Sequence, residues 1–109
     1  MLHGVFTRGT TPTQIFELPF SVEQIDNVSI TYKQKNRVIA KKTLKDCNLE
    51  DNKVITSLSQ EESLSFCEDV VARVQIKVSV AGKVFASPAY QLGVEEILDE
   101  EEIWYAKTL

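Results

Sequence analysis

The sequence predicts an all-β protein: a single antiparallel β-sandwich, immunoglobulin-like or related, with one or two short helical turns and an acidic C-terminal helix or tail. The first observation is the stretch 70–80, VVARVQIKVSV, where every even position is apolar and the odd positions from 73 to 79 are polar. Because successive strand side chains point to opposite faces, this alternation is typical of a strand with one dry face and one wet face.

The second observation is that other alternating or β-branched segments recur at intervals of about ten residues, as in sandwiches and small barrels. We therefore expect six or seven strands. Besides 70–80, the predicted strands are 14–20, 27–34, 38–44, 54–58 and 84–94. Ser21 with Gln24 and Ser59 with Glu62 have the spacing of a capping box, and each pair predicts one short helical turn.

The third observation is a change of period at Val94, after which the apolar residues follow a helical spacing. The apolar face of this predicted helix, over residues 95–106, comprises Val94, Ile97, Leu98, Trp104 and Tyr105. At the other end, residues 1–13 are rich in Gly, Thr and Pro and lack any period, which is typical of a loosely held terminus. The sequence thus divides into an N-terminal arm (1–13), a β-sandwich domain (14–94) and an acidic amphipathic tail (95–109).

The charge is unevenly distributed along the chain. Residues 1–94 hold 11 Lys and Arg against 10 Asp and Glu, whereas residues 95–109 hold six acids and one lysine. A neutral body with an acidic tail argues against nucleic-acid binding. The sequence also lacks an apolar run of the roughly 18 residues that a transmembrane helix needs, so we expect no membrane partner. Residues 1–13 do not have the pattern of a signal peptide.

The residues that carry chemistry do not form a catalytic pattern. His3 is the single histidine, and Cys47 and Cys67 lie far apart with no paired ligand beside either, so the spacing predicts reduced thiols and no metal site. Ser59 has Glu62 nearby, but a nucleophilic serine needs a positioned general base, and helix capping explains this pair better. We therefore predict no catalytic residue, no cofactor and no enzymatic activity.

Two features of the sequence suggest protein contacts. The hairpin 33–45 contains six basic residues and no acid: Lys33, Lys35, Arg37, Lys41, Lys42 and Lys45. Such a run is either a solvated edge that resists aggregation or an acceptor for an acidic partner, such as the tail of a neighbouring subunit. The Trp104–Tyr105 pair either folds back on the body or anchors the tail, with Ile97 and Leu98, to a partner.

Four segments together carry a family resemblance. They are RGTTPTQIFELPF at 8–20, VSITYKQ at 28–34, LSQEESLSF at 58–66 and VQIKVSVAGKVFAS at 74–87. In order and spacing they resemble small uncharacterised proteins encoded in prophages of Gram-positive gut bacteria, although Ser59 and Ser63 stand where threonine is usual. The third and fourth segments are also loosely similar to the N-terminal β-sandwich domain of phage baseplate upper proteins. The tail lies beyond the shared pattern.

The resemblance implies a non-enzymatic phage or prophage structural or assembly protein that acts through protein–protein contacts. Its expected partner is a second copy of itself or another phage structural protein. Its expected location is the cytoplasm of the host cell, with incorporation into a phage particle. The alternative is a small ligand- or carbohydrate-binding β-sandwich module, in which Tyr32, Phe85 and Tyr90 line a groove.

Overall fold

The computed structural model describes residues 2–103, which form two β-sheets and three short helical turns and confirm the all-β, sandwich-like fold. The strands are β1 (Gly4–Thr7), β2 (Thr13–Glu17), β3 (Ile25–Gln34), β4 (Arg37–Thr43), β5 (Asn48–Glu50), β6 (Lys53–Ser57), β7 (Ala72–Val80), β8 (Lys83–Ala86) and β9 (Tyr90–Glu95). The helical turns are two 3-10 turns, Val22–Gln24 and Leu44–Asp46, and one α-helix, α1 (Gln60–Leu64).

The larger sheet has the strand order β1-β9-β7-β3-β4, and β8 pairs with the second half of β7 beside β9. The smaller sheet has the order β2-β6-β5. The centre of the larger sheet is the long β3–β7 pair, in which Ile30 lies opposite Ile76 and Tyr32 opposite Val74. These four side chains are at most 3% exposed, so the period-two alternation of the sequence does mark the dry face of the sheet.

The core lies between this dry face and the inner face of the smaller sheet. Tyr32, Phe66, Ile30, Leu58, Val54 and Ser63 are its largest fully buried side chains. Phe66 packs edge-on against both Phe6 and Tyr32, with ring centroids 5.1 and 6.0 Å apart. This arrangement of the rings is the favoured one for aromatic pairs. The segment after α1 is therefore fixed to the larger sheet.

The interpretation of residues 1–13 as a loosely held arm was wrong. Gly4–Thr7 is an edge strand of the larger sheet, and Phe6 on it is buried. It pairs with β9 in parallel, whereas every other strand pair among the described residues is antiparallel. A four-residue strand is too short for period two to stand out in a sequence, and its pairing partner lies almost 90 residues away.

The predicted tail helix is absent from the described part of the tail. Strand β9 continues to Glu95, and residues 96–103 form neither helix nor strand. Residues 95–102 hold six acids, which repel one another, and the apolar residues there are too few to form a buried helical face. Trp104 and Tyr105, which the sequence predicts to lie on the apolar face of the helix, are outside the described residues.

Both predicted helical turns are present. Ser59 caps α1 by accepting a hydrogen bond from the main-chain N–H of Glu62, and the Glu62 carboxylate accepts one from the N–H of Ser59. Ser21 caps the first 3-10 turn. No helix in residues 2–103 has the length and apolar character needed to cross a membrane.

Candidate protein-interaction surfaces

The outer face of the larger sheet carries a cluster of four cations, Lys33, Lys41, Arg73 and Lys77, which we call the basic face. Their strand neighbours Tyr32, Val74 and Ile76 point into the core, so these side chains point outward. Thr31 lies at the centre, opposite Gln75 on β7 and opposite Lys41 on β4. The basic face therefore joins three neighbouring strands, and its cations lie up to 44 residues apart in sequence.

No acid balances the charge of the basic face locally. Residues 27–43 and 70–80 contain no Asp or Glu, and none of the four cations forms an ion pair within residues 2–103. Lys33 lies directly opposite Arg73, and like charges in such cross-strand pairs repel each other. A shallow depression of about 310 Å³ lies here, lined by Thr31, Lys33, Arg73 and Gln75.

Arg73 is held in place at this depression. Its Nη2 donates a hydrogen bond to the main-chain oxygen of Lys35, 3.0 Å away, at the turn between β3 and β4. Lys35 has a left-handed backbone, with φ of 55°, which closes that turn. Lys35 and Arg37 are exposed at the end of the hairpin, beside the basic face.

Lys42, which the sequence grouped with the partner-binding residues, does not belong to the basic face. It lies opposite Ile30 and points to the inner side of the sheet, where its Nζ is 2.6 Å from Oε1 of Glu62. Burial by itself would raise the pKa of Glu62, but hydrogen bonds from Lys42 and from the N–H of Ser59 lower it below its ordinary value. Lys42 therefore joins the hairpin to α1.

The described part of the tail packs on its own chain, as one of the two interpretations of the tail expected. Arg8 and Glu100 form an ion pair at 3.2 Å, and the Gln60 amide exchanges two hydrogen bonds of 2.9 Å with the main chain of Ile103. Ile97 is half-buried, and its Cδ1 lies only 2.9 Å from where a Cβ on Gly9 would stand. Leu98 is 95% exposed and contributes nothing to this packing.

A second surface is a groove of about 500 Å³ between β2 and the β1–β9 end of the larger sheet. Its floor and walls include Phe16, Val74, Ile76, Tyr90 and Leu92. Of the three aromatic residues predicted to line a groove, Tyr90 does so. Tyr32 is fully buried, and Phe85 packs on Phe20 elsewhere, so neither lines it.

His3 lies at the rim of this groove and is fixed there. Its Nδ1 accepts a hydrogen bond from the main-chain N–H of Gln91 at 3.1 Å, and its ring meets Tyr90 edge-on, with centroids 5.0 Å apart. The sequence gives no signal for this contact, because it depends on the parallel pairing of β1 with β9.

The sequence places Arg73 and Lys77 on the wet face of their strand, but nothing local in the sequence places them beside Lys33 and Lys41.

No group of three or more His, Cys, Asp or Glu residues within positions 2–103 is arranged to hold a metal ion. Cys47 and Cys67 are both free thiols. Burial raises the pKa of the Cys47 thiol above its ordinary value, which favours the protonated form.

Comparison of the chain with protein-family models finds no match, and comparison with curated proteins finds none either.

Proposed function

We propose that this chain is a non-enzymatic structural or assembly protein of a phage or prophage, and that it acts by binding an acidic surface of another protein. The observation that carries the proposal is the basic face: four cations on three adjacent strands, with no acid among the described residues to neutralise them. Complementary charge steers association and fixes orientation, which is what a part of an assembly needs. The phage setting is supported by the resemblance of four sequence segments.

A protein partner suits the basic face better than a nucleic acid. Proteins that bind single strands stack bases on aromatic side chains, and the outward positions of β3, β4 and β7 carry no aromatic residue. The outward residues between the long cations include Thr31 and Gln75, and Val38, which is 52% exposed, lies opposite Lys33. Such a cationic surface suits a partner that presents carboxylates, either a second copy of this chain or another phage structural protein.

The experiment is to purify phage particles from the host that carries the gene and to measure how much of the chain sediments with them. We expect a fixed stoichiometry for the wild-type chain and its loss in the double variant Lys33→Glu, Lys41→Glu. Lys83→Glu, which reverses an exposed cation on β8 outside the basic face, is the matched control and should leave incorporation unchanged. Absence of the wild-type chain from the particles, or equal incorporation of all three proteins, would overturn the proposal.

The groove favours a second candidate function, a small ligand- or carbohydrate-binding module. An aromatic ring, Tyr90, beside polar groups such as Gln14 and Glu17 is a common way to hold a sugar ring. A glycan array tests this candidate directly. Binding that Tyr90→Ala abolishes and Lys33→Glu leaves intact would favour the ligand-binding module over assembly through the basic face.

A further inference from the structure

Strand β2 is a free edge of the smaller sheet, and its register tells which of its main-chain groups are unpaired. The N–H of Leu18 donates to the oxygen of Asn52, and the oxygen of Pro12 accepts from the N–H of Leu58. In an antiparallel ladder alternate residues point to the partner strand, so the even positions of β2 bond to β6. The N–H and C=O groups of Thr13, Ile15 and Glu17 therefore point away from the sheet.

These outward groups border the groove described above, whose lining includes every residue of β2. On its far side lie Tyr90, which is half-buried, and Leu92, whose side chains point inward from β9. The larger sheet has five strands along its path, whereas the smaller sheet has three. The groove thus occupies the place where a fourth strand of the smaller sheet would cover β9.

We propose that this edge accepts an extended peptide segment of a partner protein, which pairs with β2 and becomes the fourth strand of the smaller sheet. The edge supplies N–H and C=O groups on every second residue, a pattern that an extended backbone matches and a sugar does not. Alternate apolar side chains of the peptide would fill the groove against Tyr90 and Leu92. This site is separate from the basic face, and it goes beyond the charge-driven docking proposed there.

Position 15 allows the pairing to be tested without disturbing the core. The Ile15 side chain is 59% exposed, and its N–H points outward. Proline is tolerated on an edge strand when the lost N–H faces away from the sheet, so Ile15→Pro removes a donor that only an added strand would use. Ile15→Thr is the matched control, because it removes the same apolar side chain and keeps the N–H.

The probe is a displayed library of nine-residue peptides, selected on the full chain, from which the best binders are synthesised. We expect the selected peptides to have apolar residues at alternate positions. We also expect their dissociation constant to be about tenfold larger for Ile15→Pro than for Ile15→Thr. We also expect binding to be lost when alternate peptide nitrogens are methylated, which blocks one edge of the peptide and leaves its side chains in place. This second test uses the wild-type chain, so it holds even where Ile15→Pro folds poorly.

Several results would overturn the proposal. A selection that yields no binder would do so, as would binders that tolerate both the methylated backbone and Ile15→Pro. A wild-type dimer that dissociates on Ile15→Pro would show that the edge pairs with β2 of a second copy instead of a foreign segment.

One result would support the strand site independently of the proposed function. If Ile15→Pro abolishes peptide binding but leaves particle incorporation unchanged, the strand site acts separately from the basic face.

Discussion

Gln34 is a buried polar residue at the end of β3, and it has three hydrogen bonds there. Its Nε2 donates to the main-chain oxygens of Cys67 and Val70 at 2.8 and 2.9 Å, and its Oε1 accepts from the N–H of Cys67 at 2.7 Å. Buried polar groups are stabilising only when they are paired in this way. Gln34 therefore fixes the connection between α1 and β7 to the larger sheet.

We predict that Gln34→Leu lowers the free energy of unfolding by roughly 2–4 kcal/mol, because it leaves three main-chain groups without partners. Gln24→Leu, the same change at an exposed site, should alter it by no more than about 0.5 kcal/mol. Urea unfolding of both variants measures the difference. Equal losses would mean that the segment 67–70 is held by other contacts.

Tyr32 shows how burial of a titratable side chain connects to stability. It is fully buried, and its hydroxyl donates to Oε1 of Gln14 on the opposite sheet. Burial raises the pKa of Tyr32 well above its usual value, and the nearby Cys47 and Glu62 add to the rise. The folded chain therefore keeps this hydroxyl protonated at a pH where the unfolded chain loses the proton.

This difference predicts a stability loss at alkaline pH. Above about pH 10 the unfolded state releases a proton that the folded state retains, so the free energy of unfolding falls as the pH rises. We expect Tyr32→Phe to be less stable at pH 7 by about 1 kcal/mol, since Gln14 loses its donor, but to show a shallower decline from pH 9 to 11. Urea unfolding across that range tests the sign, and parallel declines in the two proteins would contradict it. The raised pKa of Cys47 also lowers the free energy of unfolding at alkaline pH. It does so in both proteins, so it does not affect the difference between their declines.

At the scale of the elements, the β3–β4 hairpin sorts its basic residues onto two sides. Lys41 points outward opposite Thr31, whereas its neighbour Lys42 points inward and bonds to Glu62 on α1. The sequence shows six cations without an acid between them, and it gives no local sign that one of them has a partner 20 residues ahead. Because side chains alternate along a strand, Lys41 and Lys42 must point to opposite sides of the sheet. Which of the two faces the core depends on the pairing register.

The two lysines therefore differ in what a substitution costs. Lys42→Met should lower the free energy of unfolding by about 1–2 kcal/mol at pH 7, because Glu62 loses a charged hydrogen bond in a partly buried site. Lys41→Met, on the exposed outer face, should change it by no more than about 0.5 kcal/mol.

The sign of the pH dependence follows from the lowered pKa of Glu62. The stability that this carboxylate adds is present above its unfolded pKa and is lost as the pH falls through its lower folded pKa. The deficit of Lys42→Met should therefore shrink as the pH is lowered from 7 towards 3, as measured by urea unfolding at each pH. A deficit that stays constant over this range would contradict the role given to Glu62.

At the scale of the whole molecule, the features that could be predicted are those with a local signal. The alternation of 70–80 predicted its dry face, and the Ser59–Glu62 spacing predicted the cap of α1. The strand β1 and the groove beside it could not be predicted, because they arise when residues 4–7 pair with residues 92–95. The basic face likewise depends on the register that sets Lys33 opposite Arg73.

The most direct test of the claim that the basic face binds acidic protein surfaces is an NMR titration of the isotope-labelled chain with an acidic peptide. The peptide carries the sequence of positions 95–103, EEILDEEEI, and the readout is the set of amide shifts that change. We expect the changes to cluster at the outward residues of β3, β4 and β7, to weaken with added salt, and to vanish in the double variant Lys33→Glu, Lys41→Glu while persisting in Lys83→Glu. Shifts confined to other surfaces, or shifts that the double variant leaves unchanged, would contradict the claim.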